Sequence, residues 1–300
     1  MKAVVYEQQG GPEVLQLKEI ATPEVGAGQV RIRVTATSFN PVDTSIRSGM
    51  FPFPIALPAS PGSEVSGVVD AVGEGVTSVA VGDAMIAELL PNQGGAAEYV
   101  VLPAENAVAA PKTLPLADAA GLPLVSLTAY QGLFSEGQLE KGQKVLVVGA
   151  GGSVGSIAVQ LAHQAGATVI ATASGDDVKR VKELGADQVI DYKQEDVAKL
   201  PALEADLVVG FAPADLSPYY KHIKSGGRIV SATSSVDDAP ENTTAIRLIG
   251  QNNPQQLAEL VKLVDTGQLQ LSISFRGTLE DVASIHANPP HSGKAIFVIN

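Results

Sequence analysis

The stretch Lys144–Gly166, KVLVVGAGGSVGSIAVQLAHQAG, holds the residue types and spacings best suited to chemistry in this 300-residue chain. Gly149, Gly151, Gly152 and Gly155 crowd into one turn. Glycine lets a backbone approach a phosphate closely, and a helix that follows offers unpaired N–H groups and the positive end of its dipole. One chemistry is therefore dinucleotide binding, with Gly151, Gly152, Ser153, Val154 and Gly155 around a pyrophosphate. The spacing present is Gly149-x-x-Gly152-x-x-Gly155, because Val154 stands where G-x-G-x-x-G has its third glycine. A second chemistry is a nucleophile elbow, G-x-S-x-G centred on Ser153. His286 or His291 would then be the base, and Asp206, Asp215 or Asp265 would orient it. A third reading is a glycine turn that binds nothing.

The flanking residues predict how such a turn is positioned. Val145–Val148 is a short continuous apolar run, as expected of a strand buried on both faces. Val154, Ile157, Ala158, Leu161 and Ala165 recur at helical spacing, and Gly166 stands where the helix would stop. Thr168–Ala173, Gln188–Ile190, Leu207–Val209 and Arg228–Ala232 read as further strands, with a helix over Asp177–Leu184. Strands alternating with helices predict a parallel sheet covered on both faces. The texture before about Lys112 differs. Short β-forming runs at Met1–Tyr6, Gln29–Thr35, Ser66–Val72 and Ala84–Ala87 are punctuated by Gly and Pro, which predicts a compact β domain. Leu116–Phe134 reads as helix interrupted by Pro123. Asn253-Pro254 reads as an N-cap and first helical residue, opening an amphipathic helix closed by Gly267. A terminal strand at Ala295–Ile299 is expected to rejoin the first domain.

Composition narrows the functions available. A net charge of −12 and the absence of Trp argue against nucleic acid and anionic membrane surfaces, which need basic patches and stacking platforms. With no Cys there are no disulfides, no thiolate nucleophiles and no cysteine-ligated metal. The N-terminal residues MKAVVYEQQGG lack the apolar core of a signal peptide, and no run approaches a membrane span, so a cytoplasmic address is expected.

The zone that carries an acidic residue in NAD-binding versions of the turn reads Ile170-Ala171-Thr172-Ala173-Ser174-Gly175, with no acid. Small and hydroxyl residues there leave room for a 2′-phosphate, and Lys179 and Arg180 lie just beyond. NADPH is the expected cofactor. Lys179 and Arg180 also read as the solvated face of a short helix.

Several segments then fall in a specific order. They include Ser38-Phe39-Asn40-Pro41-Val42-Asp43, Pro61-Gly62-Ser63-Glu64, Gly82-Asp83 and Gly94-Gly95-Ala96-Ala97-Glu98-Tyr99. Leu122-Pro123-Leu124 with Leu127-Thr128-Ala129-Tyr130, the glycine turn, Leu184-Gly185-Ala186-Asp187 and Gly226-Gly227-Arg228 follow. Nearly end to end, the chain resembles the zinc-independent medium-chain dehydrogenase/reductases of the quinone oxidoreductase (zeta-crystallin-like) family. The resemblance implies an α/β protein: a GroES-like β domain over 1–116 and 267–300, and a doubly wound Rossmann domain over 117–266 that holds NADPH. It also implies a cleft between them, and a homodimer. Asn40 and Asp43 would lie at the cleft and Thr128 near the nicotinamide, as catalytic residues. Ser174, Lys179 and Tyr192 would surround the adenosine 2′-phosphate.

Departures from the related branches matter as well. Ser63 follows Gly62 where the zinc alcohol dehydrogenases have a histidine. Phe51 stands where enoyl-thioester reductases have a proton-donating tyrosine, which leaves it a lining residue of the substrate pocket. Each polar residue also has a plainer reading. Asn40 would shape a turn before Pro41, Asp43 would cap the helix Thr44–Gly49, Arg47 would be an ion-pair or surface residue and Glu64 structural. The expected function is hydride reduction of a quinone or an α,β-unsaturated carbonyl with no metal, the proton coming from water. A nucleotide-binding sensor with little turnover and a serine hydrolase using Ser153 are the alternatives.

Overall fold

The computed structural model describes every residue except Gln93 and Asn300. The chain divides into two compact units, Met1–Leu124 with Asn252–Asn300, and Val125–Gln251.

The first unit opens with β1 (Lys2–Val5), β2 (Gln16–Glu19) and β3 (Gln29–Ser38), followed by α1 (Pro41–Ser48). Next come β4 (Glu64–Val72), β5 (Ala84–Glu88), β6 (Tyr99–Pro103), β7 (Val108–Ala109) and the short helix α2 (Leu116–Ala119). Strand β3 is the hub. Its Val30, Ile32, Val34 and Ala36 are buried, while Arg31 and Arg33 point the other way, the period-2 pattern of a strand with one covered face. It pairs antiparallel with β4 along most of its length and with β6 at its N-terminal half.

The helix α3 (Pro123–Tyr130) contains the division between units. It starts at the proline expected to interrupt the Leu116–Phe134 helix. The second unit continues with β8 (Lys144–Val148), α4 (Ser153–Gln164), β9 (Thr168–Ala173), α5 (Asp177–Glu183), β10 (Gln188–Asp191), β11 (Ala205–Gly210), β12 (Ile223–Ser231) and β13 (Thr244–Arg247). These six strands are all parallel and lie in the order β10-β9-β8-β11-β12-β13. The order reverses beside β8, and ligands of open α/β sheets bind at such switch points, outside the C-terminal strand ends. The glycine turn leaves β8 at that point. Residues Val145–Val148 are all buried, as a strand covered on both faces requires.

The chain re-enters the first unit through α5's successor α6 (Pro254–Asp265), then β14 (Ile273–Gly277), α7 (Val282–Ala287) and β15 (Lys294–Val298). The expectation placed α6 with the nucleotide-binding domain, whose limits were 117–266. The compact division instead puts α6 with the first unit, where Asp265 accepts from the N–H groups of Lys112 (2.7 Å) and Thr113 (3.0 Å). The expected terminal strand is present: β15 pairs antiparallel with β3 through Ile296–Ser38, Phe297–Thr37 and Val298–Ala36.

Candidate functional site

In the second unit, three backbone features make the turn after β8. Gly149 has φ +87°, a left-handed conformation that favours glycine. Its N–H donates to the buried Thr172 Oγ1 (3.1 Å), and Ala150 N–H donates to Thr172 O (3.0 Å). Thr172 thus locks the turn to β9, a role that the sequence reading did not give it. Gly155 lies in the first turn of α4, where a Cβ would sit 2.2 Å from Gly149 O and 2.7 Å from Ala150 Cα. Only glycine lets the helix approach the strand this closely. At Gly152, the N-cap of α4, the nearest atom to a Cβ would be 3.4 Å away, so the space above the turn is open. The first amides of α4, at Ser153, Val154 and Gly155, have no intrahelical acceptor. A tightly folded turn whose first helical amides have no intrahelical acceptor fits a pyrophosphate, with Asp177 and Arg180 packed against Gly151.

Ser153 is the first residue of α4, not the apex of a strained turn, and no histidine is bonded to it among the described residues. The proposed bases are placed elsewhere: His286 Nδ1 is 2.8 Å from Arg47 Nη1 in the first unit, and His291 is exposed. The elbow geometry is absent.

The remaining cofactor candidates separate. Ser174, just after β9, donates to the Tyr192 hydroxyl (3.1 Å), so these two are brought together at the end of neighbouring strands. Lys193 and Tyr219 line a surface cavity with Tyr192. Lys179 is exposed on α5, 3.8 Å from Glu183. Arg180 is committed: its Nη2 donates to Asp177 Oδ1 (2.6 Å) and to Gly151 O (2.7 Å). It braces the turn from behind.

In the first unit, buried polar groups converge at the sheet end where β3 stops and β4 and β15 begin. Glu64 Oε1 accepts from Asn40 Nδ2 (2.8 Å), Lys294 Nζ (2.8 Å) and Ser38 Oγ, and Oε2 accepts from Leu124 N–H (2.7 Å) at the start of α3. Lys294 Nζ also donates to Asn40 Oδ1 (2.7 Å) and Phe39 O (2.9 Å). Glu64 is 0% and Lys294 2% exposed. Such a pair offsets its desolvation because all three Lys294 protons and both Glu64 oxygens are hydrogen-bonded. Asn40 is the N-cap of α1, and its amide is held by Glu64 and Lys294. Asp43 Oδ2 accepts from Asn40 N–H (2.8 Å), and Oδ1 accepts from Ser63 Oγ. Burial pushes Asp43 up to about 6, against the pull of those hydrogen bonds.

Both plainer readings of Asn40 and Asp43, turn and cap, are therefore present in the geometry. Arg47 is 3% exposed and holds His286, whereas an ion-pair or surface residue was expected. Lys294, Glu88 and His286 were not singled out for this cluster. Burial near a glycine-punctuated loop was the one available signal, and it is invisible before the strands are paired. Thr128 lies half-buried on α3, with Gly250 close to its hydroxyl. Phe51 packs edge-on against the exposed Phe53, ring centroids 5.4 Å apart. Among the described residues, no group of three or more His, Asp or Glu is placed to hold a metal ion, and no helix is long and apolar enough to cross a membrane.

Known proteins share this pattern. Residues 26–112 match the alcohol dehydrogenase GroES-like domain, and residues 153–258 match the zinc-binding dehydrogenase domain. The chain is 36% identical over 288 residues to the chloroplastic NADPH-dependent alkenal/one oxidoreductase of Arabidopsis thaliana, covering 92% of this chain and 72% of that one. It is 31% identical over 323 residues to the quinone oxidoreductase of Rattus norvegicus, covering 100% and 98%. The solved quinone oxidoreductase of Coxiella burnetii superposes with a TM-score of 0.93 at 32% identity, covering 100% of this chain and 99% of that one.

Proposed function

The chain belongs to the zinc-independent quinone oxidoreductase family of medium-chain dehydrogenase/reductases, and on that footing we propose how its residues reduce their acceptor. It is an NADPH-dependent reductase of quinones or α,β-unsaturated carbonyls, built from a GroES-like β domain and a Rossmann domain. The observation that carries the reading is the turn Gly149–Gly155, folded so tightly that Gly155 admits no Cβ, at the switch point of a parallel sheet.

Backbone amides of Gly151, Gly152, Ser153, Val154 and Gly155 bind the pyrophosphate. Ser174 and Tyr192 take the 2′-phosphate, with Lys179 and Lys193 as mobile cations nearby. Bound NADPH supplies a hydride to an electron-poor acceptor. Thr128 orients the reacting end of the cofactor. Asn40 and Asp43 act at the acceptor side through the scaffold they hold, since their polar atoms are already engaged. Phe51 lines the acceptor pocket. The enzyme works as a cytoplasmic homodimer, a reading supported by the open sheet edge at β13 and by Ile249, 68% exposed, just beyond it.

Ser174→Asp tests the cofactor assignment. A carboxylate at this position removes a donor and repels the 2′-phosphate, so NADPH should bind about 10–100-fold more weakly. NADH should bind as well as before or better. Nicotinamide fluorescence titration reads both constants, and an unchanged NADPH affinity would remove Ser174 from the phosphate site.

A further inference from the structure

Gln131 is a buried polar side chain of the second unit to which the scheme above gives no task. It is 6% exposed and opens a π-helical turn, Gln131–Ser135, that continues α3. Its amide holds one peptide from both sides. Nε2 donates to Gln251 O (2.7 Å), and Gln251 N–H donates to Oε1 (2.9 Å), across 120 residues of chain. Two such bonds fix both the position and the orientation of that peptide, as a hydrogen-bonded pair does in a sheet. The next residue braces the same contact. A Cβ at Gly132 would lie 3.0 Å from Phe211 Cζ and 3.5 Å from Leu248 Cδ2, so the turn sits closely on the residues that leave β11 and β13.

The segment held in this way is Leu248–Gln251. It starts against β12, where Leu248 N–H donates to Ser231 O (2.8 Å). Just before Gln251 stands Gly250. Nothing in the fold demands glycine there. Its φ is outside the left-handed region, and a Cβ would meet nothing nearer than Thr128 Oγ1 at 3.8 Å and Gln131 Oε1 at 4.0 Å. Thr128 and Gln131 are three residues apart, so they share one helix face. The side chain that Gly250 lacks leaves space over that face.

The topology of the unit suits that space to the cofactor. All six strands are parallel, so the residues after β13 emerge at the same end of the sheet as the glycine turn after β8. In the order β10-β9-β8-β11-β12-β13, Ser174 and Tyr192 follow strands on one side of β8, and Leu248–Gln251 follows the last strand on the other. A dinucleotide centred by its pyrophosphate on the turn extends one nucleoside to each side. With its 2′-phosphate end at β9 and β10, its nicotinamide end extends toward β13, the side of Thr128 and Gly250.

We propose that Gln131 is a positioning residue for hydride transfer: by gripping the Gln251 peptide it holds Gly250 beside Thr128, and these two seat the nicotinamide. The inference rests on the reductase reading and deepens it. Gln131 touches no reacting atom and acts only through the Leu248–Gln251 segment. The space at Gly250 takes the flat ring, which a side chain at that position displaces.

The experiment compares wild type with Gln131→Met, which keeps the side-chain length and removes both hydrogen bonds, and with Gly250→Val, which fills the space and leaves the grip intact. The probes are NADPH and 2′,5′-ADP, which carries the adenosine 2′-phosphate but no nicotinamide. Melting temperatures confirm that the variants are folded. Both variants should bind 2′,5′-ADP as wild type does and NADPH about tenfold more weakly. With a quinone, Gln131→Met should lose about 10–100-fold in kcat with little change in the quinone KM, since a ring misplaced by about 1 Å presents its hydride poorly. Gln131→Glu, which keeps the acceptor for Gln251 N–H and loses the donor, should show the same pattern in weaker form, and it carries the test if Gln131→Met does not fold. A tether that only stabilises the fold would lower the melting temperature and leave the ratio of NADPH to 2′,5′-ADP affinity as in wild type, and that result overturns the proposal. A folded Gly250→Val with the wild-type ratio overturns it as well. A wild type that reduces no quinone or enone, while the variants still lose NADPH affinity selectively, overturns the reductase reading and leaves the seat in place.

Discussion

His286 shows how burial turns a common residue into a determinant of acid stability. It lies in the first unit against Phe39, rings 5.0 Å apart, and its Nδ1 accepts from Arg47 Nη1. Because a guanidinium only donates, the ring keeps its proton on Nε2 and stays neutral. Burial first, and the Arg47 charge second, hold it down to about 3. In the unfolded chain its value returns to about 6.5. Between those values the unfolded state binds a proton that the folded state refuses, so stability falls as pH drops from about 6.5 toward about 3. The slope from this one group is about 1.4 kcal/mol per pH unit. His286→Gln keeps an acceptor for Arg47 and removes the titration. Its melting temperature should therefore fall less than that of wild type between pH 7 and pH 4. Parallel curves for the two proteins would show that His286 does not govern the acid limb.

At the scale of elements, the turn between β8 and α4 is the most demanding joint in the second unit. A methyl at Gly155 would meet backbone, not a flexible side chain, so α4 would have to move away from β8. Gly155→Ala should cost about 1–3 kcal/mol by overpacking, and NADPH affinity should fall at least tenfold because the amides lose their aim. Thermal melts and a binding titration check both. Much of this joint was legible beforehand. The apolar run Val145–Val148, the glycine spacing and the helical repeat after it each follow from local sequence, and the observed helix Ser153–Gln164 ends just before the expected Gly166. The strands β2, β6, β7 and β13 were not anticipated. They are short or largely exposed edge strands whose patterning is weak, and tertiary pairing alone defines them. The start of α1 was placed three residues late, because the N-cap is Asn40, with Pro41 the first helical residue and Asp43 the third, rather than Asp43 itself.

At the scale of the whole molecule, the first unit is discontinuous, and this explains what the sequence could and could not disclose. Lys294 reaches Glu64 and Asn40 across more than two hundred residues of chain, since β15 returns to pair with β3. Neither composition nor periodicity links residues so far apart, so the polar cluster emerged only with the fold. Conversely, the glycine turn and Ser174 are local and could be read directly. The acidic charge of −12 does not oppose an anionic cofactor, because screening limits charge effects to about 8–10 Å and the amides of α4 act at contact. The central claim is that this chain passes a hydride from NADPH to a quinone or enone. Its most direct test is purified protein mixed with NADPH or NADH and a panel of quinones and enones, with absorbance of the reduced nicotinamide followed over time. The expected result is oxidation that requires an acceptor and runs faster with NADPH than with NADH at equal concentration. Tight NADPH binding with no oxidation by any acceptor would contradict it.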